Sequence, residues 1–90
     1  MIAKKIEIKN ERGFHLSFVS KIETVAKKAK GDVFIFYEER KADAKDLFDM
    51  LSLCIVAGSE IQVAVEEKED EKIIENIEKV VKEVWDYEKK

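Results

Sequence analysis

Isoleucine alternates with charged residues at the start of the chain. From Ile6 to Lys9 the alternation is strict, so residues 2–9 read as a strand with one apolar face. Asn10 to Gly13 reads as a loop. Phe18, Ile22, Val25, Ala26 and Ala29 then recur at helical spacing, which predicts a helix over 16–29 with Gly31 as its C-terminal stop. The β-branched and aromatic run DVFIFY predicts a strand over 32–37. EERK (38–41) is the expected turn, although it lacks the Gly or Asn of a tight hairpin, and a short return strand follows over 41–44. Residues 45–53 are helix-like, and 57–59 break that pattern. In EIQVAV (60–65) Ile61, Val63 and Val65 share one strand face. From Asp70 to the chain end, Ile73, Ile74, Ile77, Val80, Val81, Val84 and Trp85 form the stripe of a long amphipathic helix, and that stripe is assigned to the core. The acidic run before it, 66–72, reads as a solvated loop and helix start.

The predicted order is β-α-β-β-α-β-α, with one apolar stripe per helix. This implies an α+β fold in which an antiparallel sheet is covered on one face. Ninety residues make one domain, 1–90, and no linker, repeat or low-complexity tract divides them. Apolar residues are 46% of the chain and charged ones 41%, enough for a core beneath a densely charged surface and too apolar for a disordered chain. No stretch approaches the roughly 18 apolar residues of a membrane span. The first residues are not those of a signal peptide, and the single cysteine, Cys54, cannot form an internal disulfide. A cytoplasmic location is expected. Cys54 is expected as a small buried hydrophobe.

Charge is unevenly spread. Residues 1–30 carry eight Lys/Arg against three Glu, and residues 31–90 carry nine against seventeen Asp/Glu. The basic third suggests steering of acidic partners. The overall charge of −3, with no aromatic residue in a basic cluster, argues against nucleic acid.

The chemistry centres on ERGFHLSF (11–18), which contains the only histidine, His15. His15 directly precedes the predicted helix at Leu16, beside backbone N–H groups that have no intrahelical acceptor and favour anions. Imidazole is nucleophilic near neutral pH. The arrangement suits a phosphoryl group on His15 with its charge met by the amides of Leu16 and Ser17, while Gly13 allows a tight bend. A surface or capping histidine is the ordinary alternative. No metal or other cofactor is expected, since there is no second histidine.

Four motifs in register, G-F-H-L-S (13–17), D-A-K-D (43–46), S-L-C-I (52–55) and G-S-E-I (58–61), resemble the HPr family. Its members are the histidine-containing phosphocarriers of the bacterial sugar phosphotransferase system. The resemblance covers the whole chain without a gap. It implies an open-faced β-sandwich, a four-stranded antiparallel sheet with three helices on one face. It also implies that His15 takes phosphate on Nδ1 from enzyme I and passes it to enzyme IIA. A transcriptional regulator is a further implied partner, and a monomer is expected. The family's docking face, apolar residues ringed by basic ones at the starts of the first two helices, maps onto Phe18, Leu47, Phe48 and Leu51 with Lys21, Lys27, Lys28 and Lys45. Core packing is the alternative for Leu47 and Leu51.

The sequence departs from the family at chemically important positions. Ser17 stands for the phosphate-contacting arginine, Phe18 for a proline, Asp43 for an asparagine and Cys54 for a glycine. Asp46 stands where many members carry a regulatory serine, so it reads as a phosphoserine mimic, as a helix N-cap, or as both. Arg12, three residues before His15, is a candidate replacement for the missing arginine or simply a solvated loop cation. Two functions stay open: a phosphocarrier, or a binding module of the same fold with little or no phosphotransfer.

Overall fold

The computed structural model describes residues 1–88. Strands β1 (Ile2–Glu7), β2 (Val33–Tyr37), β3 (Arg40–Asp43) and β4 (Glu60–Val65) form one antiparallel sheet in the order β1-β4-β2-β3. Helices α1 (Leu16–Ala26), α2 (Leu47–Leu51) and α3 (Glu71–Glu88) complete the α+β fold, an open-faced sandwich. A 3₁₀ turn, Lys68–Asp70, leads into α3. No helix among the described residues is long and apolar enough to cross a membrane. The last two residues of the predicted C-terminal helix lie outside those described.

The period-2 pattern fixes the register. Ile6 faces Ile61 across β1 and β4, and Ile35 faces Val63 across β2 and β4. All four are buried beneath the helices. A slip of one residue would turn this whole apolar set to the other face. Phe18, Val19 and Ile22 of α1 and Ile73, Ile74, Ile77 and Val81 of α3 close the same core. On the open face Phe34 and Phe36 are half-buried, and the Lys41 ammonium sits 4.6 Å from the Phe34 ring centre. Such a contact suits a half-buried aromatic that no helix covers.

Several boundaries differ from the sequence reading. The β1 ladder ends at Glu7, but irregular bonds, Ile8 N–H to Ser59 O and Gly58 N–H to Ile8 O, carry the pairing one residue on. The predicted turn at 38–41 is a two-residue hairpin after all: Tyr37 pairs with Arg40, and Glu38 takes a left-handed φ of 55° without being Gly or Asn. Helix α2 is five residues, Leu47–Leu51, because Asp46 caps its start and Cys54 turns left-handed beyond its end. Cys54 is exposed, with φ of 53°, which corrects the expectation of a buried hydrophobe. Its position after the helix calls for a backbone shape that glycine adopts without strain. Trp85 is half-buried at the margin of the α3 stripe, not in the core.

Helix α1 stops at Ala26, and Gly31 is not its left-handed stop. The chain tightens through Lys28 N–H to Val25 O and Ala29 N–H to Ala26 O. It is then drawn away by Asp70, whose carboxylate accepts N–H bonds from Lys30 (3.0 Å) and Gly31 (2.8 Å). A Cβ at Gly31 would come within 2.5 Å of Glu67 Cγ, so glycine serves close approach there. Asp70 is buried, so the acidic run is not solvated throughout.

The Gly31 amide, followed by that of Lys30, holds the Asp70 carboxyl below the usual aspartate range; partial burial opposes this and the Lys45 and Lys30 charges assist it. A depressed folded-state pKa contributes stability above the unfolded value and loses it as pH falls through the folded one. Asp70→Asn is therefore expected to lower the urea midpoint near neutral pH. The gap from wild type should narrow progressively under acid, as read by urea titrations across the carboxylate range.

Candidate functional site

The site is built where two loops meet. Asn10 and Gly13 close a turn, with Gly13 N–H bonding Asn10 O (3.1 Å) and the Asn10 side-chain amide donating to Gly13 O (2.7 Å). Phe14 N–H then donates to Ile55 O at 2.9 Å, tying this turn to the loop between α2 and β4. Gly13 has φ of 60°, and a Cβ there would overlap Ile55 O and crowd Val56 Cα, so only glycine fits.

His15 follows as the N-cap of α1, with extended backbone (φ −104°, ψ 167°). Its carbonyl accepts the first helical bonds, from Phe18 N–H and Val19 N–H, but its ring makes no capping bond. No acidic side chain lies in the first turn. The positive end of α1 is thus uncapped by its own N-cap side chain and unneutralised by its own acids, which favours an anion. Leu16 and Ser17, the residues predicted to meet a phosphate, are both exposed on that turn.

The ring itself is held. Its side chain is 18% exposed, and Nε2 is buried with no hydrogen-bond partner among the described residues. Facing Nε2 at 3.8 Å is Glu88 Oε2, at the end of α3. The other oxygen, Oε1, accepts Glu11 N–H at 3.0 Å. Glu88 went unnoticed in the sequence because it lies 73 positions from His15 and carries no motif. Arg12 is exposed on the same loop.

The predicted docking residues divide. Phe18 is completely buried and stacks edge-on against Phe14 with ring centres 5.3 Å apart, so it is core and not a docking residue. Its helical position points it at the sheet, as the 3.6-residue spacing with Ile22 requires. Phe48 is 77% exposed, Leu47 and Leu51 are half-buried, and Lys21 is exposed. Leu16 and Val56 add exposed apolar surface next to the His15 loop, and Val56 was missed because a lone valine in a loop has no periodicity. The start of α2 is held against α1 by Leu47 N–H donating to Glu23 Oε2 (3.0 Å). Asp46 is the N-cap of α2, its Oδ1 accepting from Phe48 N–H (3.1 Å) and Asp49 N–H (3.2 Å). Lys45, predicted for the basic ring, is partly buried with Nζ on Ala29 O at 3.2 Å.

A separate groove of about 450 Å³ between β1 and α3, lined by Lys5, Lys9, Lys79, Lys82 and Trp85 among others, includes no residue of this site.

Comparison with known proteins gives a family match over residues 2–83, described as the PTS HPr component phosphorylation site. A phosphocarrier protein HPr from Buchnera aphidicola (Schizaphis graminum) is 29% identical over 84 residues, spanning 93% of this chain and 99% of the relative. Among solved structures, HPr of Thermoanaerobacter tengcongensis superimposes with a TM-score of 0.87 at 22% identity, covering 96% of this chain and 97% of that one. The histidine-containing phosphocarrier protein of Mycoplasma gives 0.86 at 18% identity, covering 93% and 97%.

The two loops that meet at the site are expected to respond in opposite directions to substitution. Gly13→Ala adds a Cβ at left-handed φ and into a backbone neighbour, and should destabilise by about 2–4 kcal/mol. Cys54→Gly relieves a left-handed non-glycine in open space and should stabilise by up to about 1 kcal/mol once the extra chain entropy is subtracted. Urea denaturation of both variants checks the pair.

Proposed function

The chain belongs to the HPr family of the phosphotransferase system, and on that footing we propose that His15 is its phosphoryl acceptor, charged by enzyme I and discharged to enzyme IIA proteins. The observation that carries this reading is the uncapped start of α1 beside an imidazole whose Nε2 is turned inward. With Nε2 sealed, Nδ1 is the nitrogen left for an incoming group. In the transfer, the Nδ1 lone pair attacks phosphorus, the phosphorus–nitrogen bond of the donor breaks, and three phosphoryl oxygens need donors. The amides of Leu16 and Ser17 and the Ser17 hydroxyl supply them, aided by the helix dipole. No side chain here offers the bidentate fork of a guanidinium at position 17.

Exposed Leu16, Phe48 and Val56, with half-buried Leu47 and Leu51, form an apolar docking surface around His15, and Lys21 adds charge. Exposed aromatic and aliphatic residues of this kind anchor protein interfaces. Asp46 serves α2 as an N-cap and also sets a permanent negative charge at this surface, as a partial phosphoserine mimic toward a regulatory partner. Ser17 favours a second reading, a docking module that no longer relays phosphate, because a neutral hydroxyl stabilises the transferred charge less than an arginine does.

Intact-mass analysis after incubation with a cognate enzyme I and phosphoenolpyruvate separates the two. A single acid-labile phosphoryl adduct, absent in His15→Ala, is expected; no adduct from an enzyme I that charges an ordinary HPr would leave the docking module. In the same assay Ser17→Arg should accelerate acceptance about tenfold, the effect of one charge-assisted hydrogen bond.

A further inference from the structure

We propose that Glu88 is the positioning residue of His15: it keeps the ring proton on Nε2 and thereby leaves the Nδ1 lone pair as the nucleophile. Three observations converge on it. Glu88 Oε2 lies 3.8 Å from Nε2, and both side chains are largely enclosed, at 20% and 18% exposure. Nε2 is buried and unpartnered by any hydrogen bond among the described residues. The Glu88 carboxylate is itself anchored, since Oε1 accepts Glu11 N–H at 3.0 Å across 77 positions of sequence.

The chemistry selects a tautomer. A carboxylate oxygen facing an Nε2 lone pair is repulsive, whereas facing an Nε2–H it is attractive. The proton therefore belongs on Nε2, and the lone pair on Nδ1. At 3.8 Å this is a contact between a carboxylate and an N–H dipole, and not yet a hydrogen bond. Catalytic pairs of this kind commonly tighten only as the reaction proceeds.

Glu88 faces the charge that transfer creates. This part rests on the phosphocarrier reading. When Nδ1 bonds to phosphorus and the donor bond breaks, the ring retains its Nε2 proton and becomes cationic, and the carboxylate meets that charge. On delivery the Nδ1–phosphorus bond breaks, its electron pair returns to Nδ1, and the ring is neutral again with the proton still on Nε2. A carboxylate behind an imidazole has the same logic in hydrolytic triads. Glu88 lies beyond residues 2–83, the segment that matches the family.

The test has one arm that needs no phosphotransfer. Imidazole nitrogen spectra of the ¹⁵N-labelled protein are recorded near pH 8.5, about two units above the ordinary histidine value. Wild type and Glu88→Gln, which retains an acceptor oxygen, should show the Nε2–H form alone, and Glu88→Ala should admit the Nδ1–H form. Identical nitrogen shifts in wild type and Glu88→Ala, with backbone amide spectra confirming that both are folded, would overturn the proposal. In the second arm, enzyme I phosphorylates each variant. Both Glu88→Ala and Glu88→Gln should be slowed by about tenfold, because both lose the charge. An unchanged rate in Glu88→Gln overturns the electrostatic part. If wild type accepts no phosphate at all, the carrier reading falls, and the nitrogen spectra still decide the role of Glu88.

Discussion

The geometry of the site depends on one backbone contact, Phe14 N–H to Ile55 O, and on the missing side chain at Gly13 that permits it. Everything around His15 is referred to this junction. On one side, the Asn10–Gly13 turn is locked by its own side-chain amide, and His15 can only emerge as the cap of α1. On the other, Leu53 and Ile55 are buried, and Arg40 of β3 donates through Nη2 to Leu53 O at 2.7 Å. The sheet edge thus braces the α2–β4 loop, and that loop braces the turn before His15. Such a path explains how a small domain holds the proposed nucleophile on a loop that is bonded to rigid elements at both ends.

What the site can do electrostatically follows from what it lacks. A helix start contributes partial charge, and Ser17 contributes a neutral donor, so at position 17 a phosphoryl group on His15 would meet dipoles and no formal charge. A residue that must release the group it accepts gains from moderate binding, because interactions equally strong in bound and transition states do not speed transfer. In the proposed transfer Glu88 faces the opposite edge of the ring, where charge would develop only during the reaction. On that proposal the two edges of the imidazole have different tasks, anion binding at one and cation compensation at the other.

Much of this was legible in sequence because it is local. Alternation gave β4, and a β-branched and aromatic run gave β2, almost residue by residue, and the α3 stripe Ile73 to Val84 emerged intact. His15 before Leu16 was readable as a cap from spacing alone. Phe18 misled because one hydrophobic periodicity serves both a buried face and a docking face; only the orientation of α1 on the sheet tells them apart. The end of α1 misled for a different reason. Gly31 carries a signal for a left-handed stop, but the stop is made by a carboxylate 40 positions away from Lys30, and propensity contains no trace of it. Cys54 and Glu38 adopt left-handed backbone that their side chains do not advertise. Glu88, Asp70 and Val56 share one property: each takes its role from a partner brought by the fold and not by adjacency.

The uneven charge of the chain acquires a different meaning in three dimensions. A basic first third and an acidic remainder suggest long-range steering of a partner, but the acidic C-terminal segment folds back on the basic one. Lys4 Nζ meets Glu78 at 2.8 Å, and Lys30 Nζ meets Glu69 at 3.2 Å. These exposed pairs contribute little each, about 0–1 kcal/mol. The acids that matter more bond to backbone: Asp70 to the amides of Lys30 and Gly31, and Glu88 to the amide of Glu11. Both fix loops that bound α1, one at each end. Part of the charge segregation is thus internal complementarity, and it ties the C-terminal segment to β1 and to the loops at both ends of α1. Exposed Lys21, on α1 itself, lies outside these pairings.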